Sequence, residues 1–287
     1  MTFVTRFAPS PTGPLHLGHA FSAMVAHDMA RAAGGTFLLR IEDIDRARSR
    51  PEWEAQISDD LRWLGLTWPE PVMRQSGRLP AYRAALGDLW ARGLIYPCTC
   101  ARRDIAVAAA APHEGEPPMG PDGIVYPGTC RSKPRTGPLP DATALRLDMA
   151  AALAAIGPAP LHSEETGAGP NGETGRITIL PTHLLHQVGD VVLARREMGT
   201  SYHLAVVLDD AEQGVTHVTR GNDLFAATAI HLVLQRLLGL PSPVYHHHRL
   251  IRDEEGRRLA KRDDARALRL YRDAGASPDE IRRLVGL

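Results

Sequence analysis

The sequence predicts an α/β protein built on a Rossmann-like parallel sheet, interrupted by an inserted α+β subdomain and followed by a short helical segment. Three observations carry this. The chain opens as an apolar strand, a Pro/Gly-rich turn, a helix and a second strand. Its texture changes near Tyr96, where cysteines and Gly/Pro-rich stretches replace periodic segments. Residues 241–287 then read as short, charge-rich elements.

Val4–Phe7 reads as a short buried strand. Phe21, Met24, Val25 and Met29 recur at helical spacing, marking a helix from His19 to Ala33 that Gly34-Gly35 stops. Thr36–Ile41 reads as the second strand, and strand–turn–helix–strand is how a doubly wound sheet begins. Pro51–Leu64 and Leu79–Gly93 read as amphipathic helices, the first with Pro at its start. The stretches 112–140 and 156–175 are rich in Gly and Pro, and disorder is expected at 112–125 and 165–175. Gln187–Arg195 and Tyr202–Asp209 read as apolar β-rich runs, Val215–Thr219 as a strand and Asp223–Leu238 as a helix. The expected units are residues 1–95 and 187–240 as two halves of the sheet domain, 96–186 as the insertion and 241–287 as the C-terminal segment.

With 287 residues the chain is long enough for one large or two modest domains. No apolar run approaches a membrane span and no signal peptide is evident, so a cytoplasmic protein without membrane partners is expected. Three cysteines argue against a disulfide framework and for a reducing compartment. Thirty-three basic residues balance thirty-three acidic ones, so an RNA site would have to be a local patch. Residues 249–287 are one candidate, with eleven basic and eight acidic side chains.

The chemistry begins at Arg6-Phe-Ala-Pro-Ser-Pro-Thr-Gly-Pro-Leu-His-Leu-Gly-His19. A Pro/Ser/Gly turn between strand and helix points backbone N–H groups at open space, at the positive end of the helix dipole, where a nucleotide phosphate would sit. His16 and His19 can donate to its oxygens. Far downstream, Arg258-Leu-Ala-Lys-Arg262 holds one of only two lysines, Lys133 and Lys261. In a chain this biased to Arg, a retained ammonium suits a phosphate, because Lys is a movable point charge. Cys98, Cys100 and Cys130 can give three thiolates to a tetrahedral zinc, with Tyr126 or His113 as the fourth ligand. Spacing alone equally allows three unliganded thiols. Three consecutive ligands at His246-His247-His248 are not expected, because successive strand residues face opposite ways.

The first stretch resembles the opening signature of class I aminoacyl-tRNA synthetases in its glutamyl/glutaminyl form, with His16-Leu-Gly-His19 at the His-Ile-Gly-His position. Lys261 falls at the lysine of that class's Lys-Met-Ser-Lys-Ser loop, though Arg258 replaces the first Lys and Ala260 replaces Ser, removing a serine hydroxyl contact to ATP. Ser201-Tyr-His-Leu-Ala-Val-Val-Leu-Asp-Asp210 and Val218-Thr-Arg-Gly-Asn-Asp223 resemble two further family segments. The resemblance implies a class I catalytic domain that takes ATP with Mg2+. Pro9, His16, Gly18, His19, His247, Leu259 and Lys261 would bind the nucleotide, with His16, His19 and Lys261 catalytic. It implies a glutamate pocket of Arg6, Ser10, Glu42, Tyr202 and Arg220, with Glu42 on the α-ammonium and Arg220 on the side-chain carboxylate. Arg40, Asp43, Asp45 and Asp209 are expected to form structural ion pairs. The Cys-x-Cys…Tyr-x3-Cys pattern resembles a structural zinc site in some members, which selects Cys98, Cys100, Tyr126 and Cys130. The chain ends 26 residues after Lys261, and this resembles the family's short glutamyl-Q branch, which lacks an anticodon-binding domain. That branch activates glutamate and esterifies the queuosine base in the anticodon loop of tRNA(Asp), without an obligatory protein partner. The alternatives are a truncated enzyme charging the 3′ end of tRNA(Glu), and a non-aminoacylating activator or tRNA-binding paralogue.

Overall fold

The structure, a computed structural model, describes residues 2–110, 117–252 and 267–287. Strand β1 (Val4–Phe7) leads through a turn into α1 (Leu17–Ala32), which returns to β2 (Thr36–Ile41). Helix α2 (Pro51–Trp63) starts on Pro51 and carries Glu52 and Glu54 in its first turn, where acids suit the helix dipole. Strand β3 (Met73–Arg74) extends the sheet, and α3 (Leu79–Ala91) follows it. Strands β1, β2 and β3 are parallel neighbours.

The second half of the sheet comes from β8 (Leu161–Glu165), β9 (Gly175–Ile179), β11 (His217–Gly221) and β12 (Val244–His248), in the order β11-β12-β8-β9. Only β9 runs antiparallel. The two halves meet where β1 lies beside β11. The Thr216 N–H donates to Val4 O at 2.9 Å, and Val4 N–H donates to Thr216 Oγ1 at 2.8 Å. The combined order is β3-β2-β1-β11-β12-β8-β9. From the β1/β11 junction the chain steps outward from β1 to β2 on one side and from β11 to β12 on the other, which makes it the switch point at which open α/β sheets bind ligands.

The insertion consists of β4 (Ile95–Cys98), α4 (Arg102–Ala110), a hairpin of β5 (Met119–Gly120) and β6 (Gly123–Ile124), β7 (Ala144–Leu147) and α5 (Met149–Ile156). Strand β10 (Val192–Ala194) completes its sheet in the order β10-β7-β4. Residues 161–179, assigned from texture to the insertion, belong instead to the main sheet, whereas β10 pairs with the insertion. The Gly-rich surroundings hide β8, yet its side chains alternate buried and exposed as a sheet strand's do. The stretch 165–175, expected to be disordered, is held as a connection by Gly167 N–H donating to Glu165 Oε1 at 2.8 Å and Ala168 N–H to His247 O at 2.9 Å. A Cβ at Gly167 would sit 2.1 Å from His247 O, so only glycine permits that approach.

Residues Tyr202–Glu212 are a helix, α7, where the sequence suggested a β-rich run. A continuous apolar run does not distinguish a buried helix from a buried strand. The deciding signal is Ser201, whose side chain caps the helix by accepting from Leu204 N–H at 3.4 Å. After a short turn at Asn222–Ala227, α8 (Thr228–Leu238) is buried on nearly all sides beneath the sheet. Small helical turns at Pro181–His183 (α6), Leu268–Asp273 (α9) and Pro278–Val285 (α10) complete the chain. Arg282 ties α10 to α1 through both Asp28 oxygens, at 2.7 and 3.0 Å. Among the described residues, no helix is long and apolar enough to cross a membrane.

Candidate active site

The turn after β1 is fixed at both ends. Glu42 N–H donates to Pro9 O, and Arg50 N–H to Pro11 O, both at 3.0 Å, so the turn is pinned to the end of β2. His16 caps α1: its Nδ1 accepts from Gly18 N–H at 3.1 Å, and its own N–H donates to His19 Nδ1 at 3.2 Å. Both Nδ1 atoms are acceptors, so the neutral rings carry their protons on Nε2. The rings stack with centroids 3.8 Å apart. A Cβ on Gly18 would lie 3.0 Å from His16 Cε1, so glycine is what lets this imidazole fold over the helix start. Two imidazoles thus stand at the positive end of a long helix, the end whose dipole favours negative charge. The chain returns to the same place, with Ala267 bridged to His16 and Leu268 N–H donating to Leu15 O at 2.7 Å. Leu259 and Lys261 lie outside the described residues, as does His113.

Beside this turn, strand ends deliver charge to the β1/β11 crevice. Arg6 projects from β1, Glu42 follows β2, and Arg220 projects from β11. Asp210, on α7, joins Arg6 to Arg40 of β2. Its carboxylate accepts from Arg6 Nε at 3.0 Å and Arg6 Nη2 at 3.3 Å, and from Arg40 Nη1 at 2.6 Å. Arg40 is fully buried and also donates to Glu42 Oε1 at 3.1 Å. Burial would push the Asp210 carboxyl up, but Arg6 and Arg40 outweigh it and hold it below the usual carboxylate range. At Glu42 burial wins against Arg40 and Arg6, and its carboxyl is pushed up. An ammonium placed there would favour the ionised form. Burial also raises the Tyr202 phenol, with Arg220 and Arg6 opposing and Glu42 and Asp210 reinforcing, so four charges converge on one ring.

Arg220 is held on three sides. Its Nε donates to His247 Nε2 at 3.0 Å, Nη1 to His231 Nδ1 at 3.1 Å and Nη2 to Thr228 Oγ1 at 2.7 Å. One N–H remains on each terminal nitrogen, a pair that fits a carboxylate. Behind it, His247 Nδ1 meets Glu165 Oε2 at 2.5 Å.

In the insertion, Cys98, Cys100 and Cys130 bring their sulfurs within 4.8 Å of one another. The Tyr126 hydroxyl lies 3.5 Å from Cys98 Sγ and 3.3 Å from Cys100 Sγ, and it accepts from Cys130 N–H at 2.9 Å. Arg146 lies over the Tyr126 ring at 3.9 Å and donates from Nε to Cys98 Sγ at 3.4 Å. Burial opposes ionisation of Cys130, but hydrogen bonds from Tyr126, Thr99 N–H, Cys100 and Lys133 bring that thiol below its ordinary range.

Residues 2–113 and 173–287 match the family of tRNA synthetases class I (E and Q), catalytic domain. The chain belongs to this family. The class I domain is 68% identical over 286 residues to a glutamyl-Q tRNA(Asp) synthetase of Rhodobacter capsulatus, covering 99% of this chain and 100% of that one. It is 43% identical over 282 residues to a protein of the same name from Nocardia farcinica, covering 98% and 82%. A solved glutamate tRNA ligase from Elizabethkingia meningosepticum, in complex with its amino acid, superposes with a TM-score of 0.70 at 27% identity. That match covers 92% of this chain but 53% of the ligase, so the synthetase domain spans about half the length of that structure.

Most of the residues expected to form the site lie close together. Pro9, Ser10, His16, Gly18 and His19 lie in the turn and first helix, and Arg6, Glu42, Tyr202 and Arg220 share the crevice beside it. His247 differs. The sequence places it beside the nucleotide, but its ring is buried with both nitrogens engaged, by Glu165 and Arg220. Its side chain braces the Arg220 guanidinium. Of the four expected ion-pairing residues, Arg40 pairs with Asp210 and Glu42, Asp45 with Arg48 at 2.6 Å, and Asp209 with Arg78 at 3.3 Å. Asp43 accepts instead from Ser76 N–H at 2.7 Å. Sequence reading passed over Asp210, His231, His203, Thr228 and Glu165. Only Asp210 and His203 had a local signal, as members of the Ser201–Asp210 segment.

Proposed function

We propose that this class I synthetase domain activates L-glutamate with ATP and Mg2+ to glutamyl-adenylate, then transfers the glutamyl group to the queuosine base in the anticodon loop of tRNA(Asp). The crevice carries the reading: four charges surround Tyr202, and with Asp210 already bonded to Arg6 and Arg40, the Arg6 and Arg220 guanidiniums and the Glu42 carboxylate are the groups that complement the two carboxylates and one ammonium of glutamate. Arg220 takes the side-chain carboxylate on its remaining N–H pair, Glu42 takes the ammonium, and Arg6, Ser10 and Tyr202 position the reacting end. An α-carboxylate oxygen attacks the α-phosphorus of ATP and pyrophosphate leaves. The Nε2–H groups of His16 and His19 stabilise charge growing on the phosphates, and Lys261 steadies the leaving pyrophosphate. In the second step an RNA hydroxyl attacks the glutamyl carbonyl and AMP leaves. The acceptor rests on likeness to the Rhodobacter and Nocardia proteins.

The test is transfer of labelled glutamate to tRNA from bacteria with and without queuosine. Label confined to queuosine-containing tRNA is expected. Equal label on both would replace this acceptor with the 3′ end of tRNA(Glu). Pyrophosphate exchange with no label on either would leave an activator with a different acceptor.

Cys98, Cys100, Tyr126 and Cys130 are proposed to hold a structural zinc. Ligands on a tetrahedral zinc with bonds of about 2.3 Å lie about 3.8 Å apart; the Tyr126 oxygen is 3.5 and 3.3 Å from Cys98 and Cys100 Sγ, Cys100 and Cys130 Sγ are 3.5 Å apart, and all three sulfurs lie within 4.8 Å of one another. When bound, the metal would cross-link β4 to the loop after β6. Elemental analysis should find one zinc per chain, with little in Cys130→Ser; a natively folded chain that never binds zinc would overturn the assignment.

A further inference from the structure

Arg220 is not held by charge on its three bonded sides. Two of its three partners are histidines, and a guanidinium only donates, so each bond dictates where an imidazole keeps its proton. His247 Nε2 and His231 Nδ1 must both accept from Arg220. His247 then carries its proton on Nδ1, facing Glu165. His231 carries its proton on Nε2, which lies 3.2 Å from His203 Nδ1. His203 must therefore accept there and keep its own proton on Nε2, 3.6 Å from Asp122 Oδ1 in the turn between β5 and β6. A proton added to His203 Nδ1 or His231 Nδ1 would set donor against donor. One guanidinium thus fixes the tautomers of three buried imidazoles on α7, α8 and β12, in a line that reaches the insertion.

We propose that His231, held neutral in this chain by His203, is a positioning residue that aims Arg220 at the side-chain carboxylate of the amino acid. This deepens the glutamate-activating reading and rests on it. His231 is faced by Arg220 from β11, Arg6 from β1, Tyr202 and His203 from α7, and His247 from β12. Burial and the neighbouring cations push its imidazolium well below the ordinary range, in keeping with an obligatory acceptor. None of the described groups that face it is an acid that could stabilise a protonated ring. An acidic partner would hold Arg220 as firmly but would neutralise it and weaken its pull on a substrate carboxylate. A neutral acceptor orients the fork and leaves its charge for the ligand.

The experiment is glutamate-dependent ATP–pyrophosphate exchange on the full chain, for wild type, His231→Leu, His231→Asn and His203→Leu. Removing the acceptor in His231→Leu should raise KM for glutamate about ten- to a hundredfold, in line with loss of one hydrogen bond to a charged group. KM for ATP should stay within about twofold. Asn can place its side-chain oxygen near the Nδ1 position, so His231→Asn should recover most of the loss. His203→Leu should show a smaller rise. The proposal is overturned if His231→Leu, folded by circular dichroism, leaves KM for glutamate unchanged, or raises both KM values alike, or if His231→Asn is no better. Nitrogen-15 NMR of the free protein reads the tautomers directly, with protonated Nε2 expected on His231 and protonated Nδ1 on His247. Wild-type protein without glutamate-dependent exchange would overturn the activity reading and the proposed aim of Arg220, while the NMR result would still report whether the relay exists.

Discussion

Arg220→Gln should lower kcat/KM for glutamate in pyrophosphate exchange by several hundred- to several thousandfold. The size follows from what the substitution removes. Arg220 offers a matched pair of N–H donors and a full positive charge in a site where the side chain is only 5% exposed. Breaking a buried, hydrogen-bonded charge pair costs about 3–5 kcal/mol, and each 1.4 kcal/mol is about tenfold. The substitution also leaves His247, His231 and Thr228 short of their common donor, which adds cost at the same place. Arg220→Lys keeps the charge but loses the planar fork, and should recover only part of the loss. The decisive comparison is glutamate against glutamine. An arginine that meets an anionic side chain must favour glutamate, so the variant's deficit should be far smaller with glutamine. A fall of less than tenfold, or equal falls for both amino acids, would remove Arg220 from side-chain recognition.

How much of this was visible beforehand depends on whether the information is local. The phosphate turn is local: β1, the Pro/Gly turn, His16-x-Gly-His19 and α1 are adjacent in sequence, and each reads by its own rule of period or capping. The thiol cluster was nearly as legible, because Cys98 and Cys100 are close together and Tyr126 and Cys130 are close together. The assembly around Arg220 was not. Its partners come from 8, 11 and 27 residues along the chain, and buried histidines on an apolar helix look like core. Helix α7 was misread because its run from Leu204 to Leu208 is apolar throughout, leaving no face for a period to show. The main-sheet strand β8 was lost among glycines, and its membership is a matter of parallel pairing with β12, which sequence texture does not encode. His247 is expected near the nucleotide, and its ring is found between Glu165 and Arg220. Strand alternation says that it faces away from His246 and His248, but not that Arg220 waits on that side.

Asp210→Ala should destabilise the fold by about 3–5 kcal/mol, the usual cost of stripping one partner from a buried ion pair. Asp210 is the shared anion for Arg6 and Arg40, bonded to them at 2.6 to 3.3 Å. Without it, Arg40 keeps Glu42 and Gln213, but Arg6 keeps only the Thr219 carbonyl at 3.2 Å among its described partners. Arg6 and Arg40 come from neighbouring parallel strands, so one carboxylate on α7 locks the helix onto both strands. Asp210→Asn retains the shape and one acceptor oxygen, and should cost less. The pH dependence has a definite sign. The folded-state pKa of Asp210 lies below its unfolded value near 3.8. Its contribution is therefore fully present above that unfolded value and is lost as pH falls through the folded one. In urea melts, the stability gap between wild type and Asp210→Asn should be constant from about pH 8 to 5 and narrow only in acid, below about pH 4. A gap that instead closes near neutral pH would mean that a histidine, not Asp210, governs the coupling. A cost below about 1 kcal/mol for Asp210→Ala would mean that the two guanidiniums find other partners, and that the crevice is held open by packing alone.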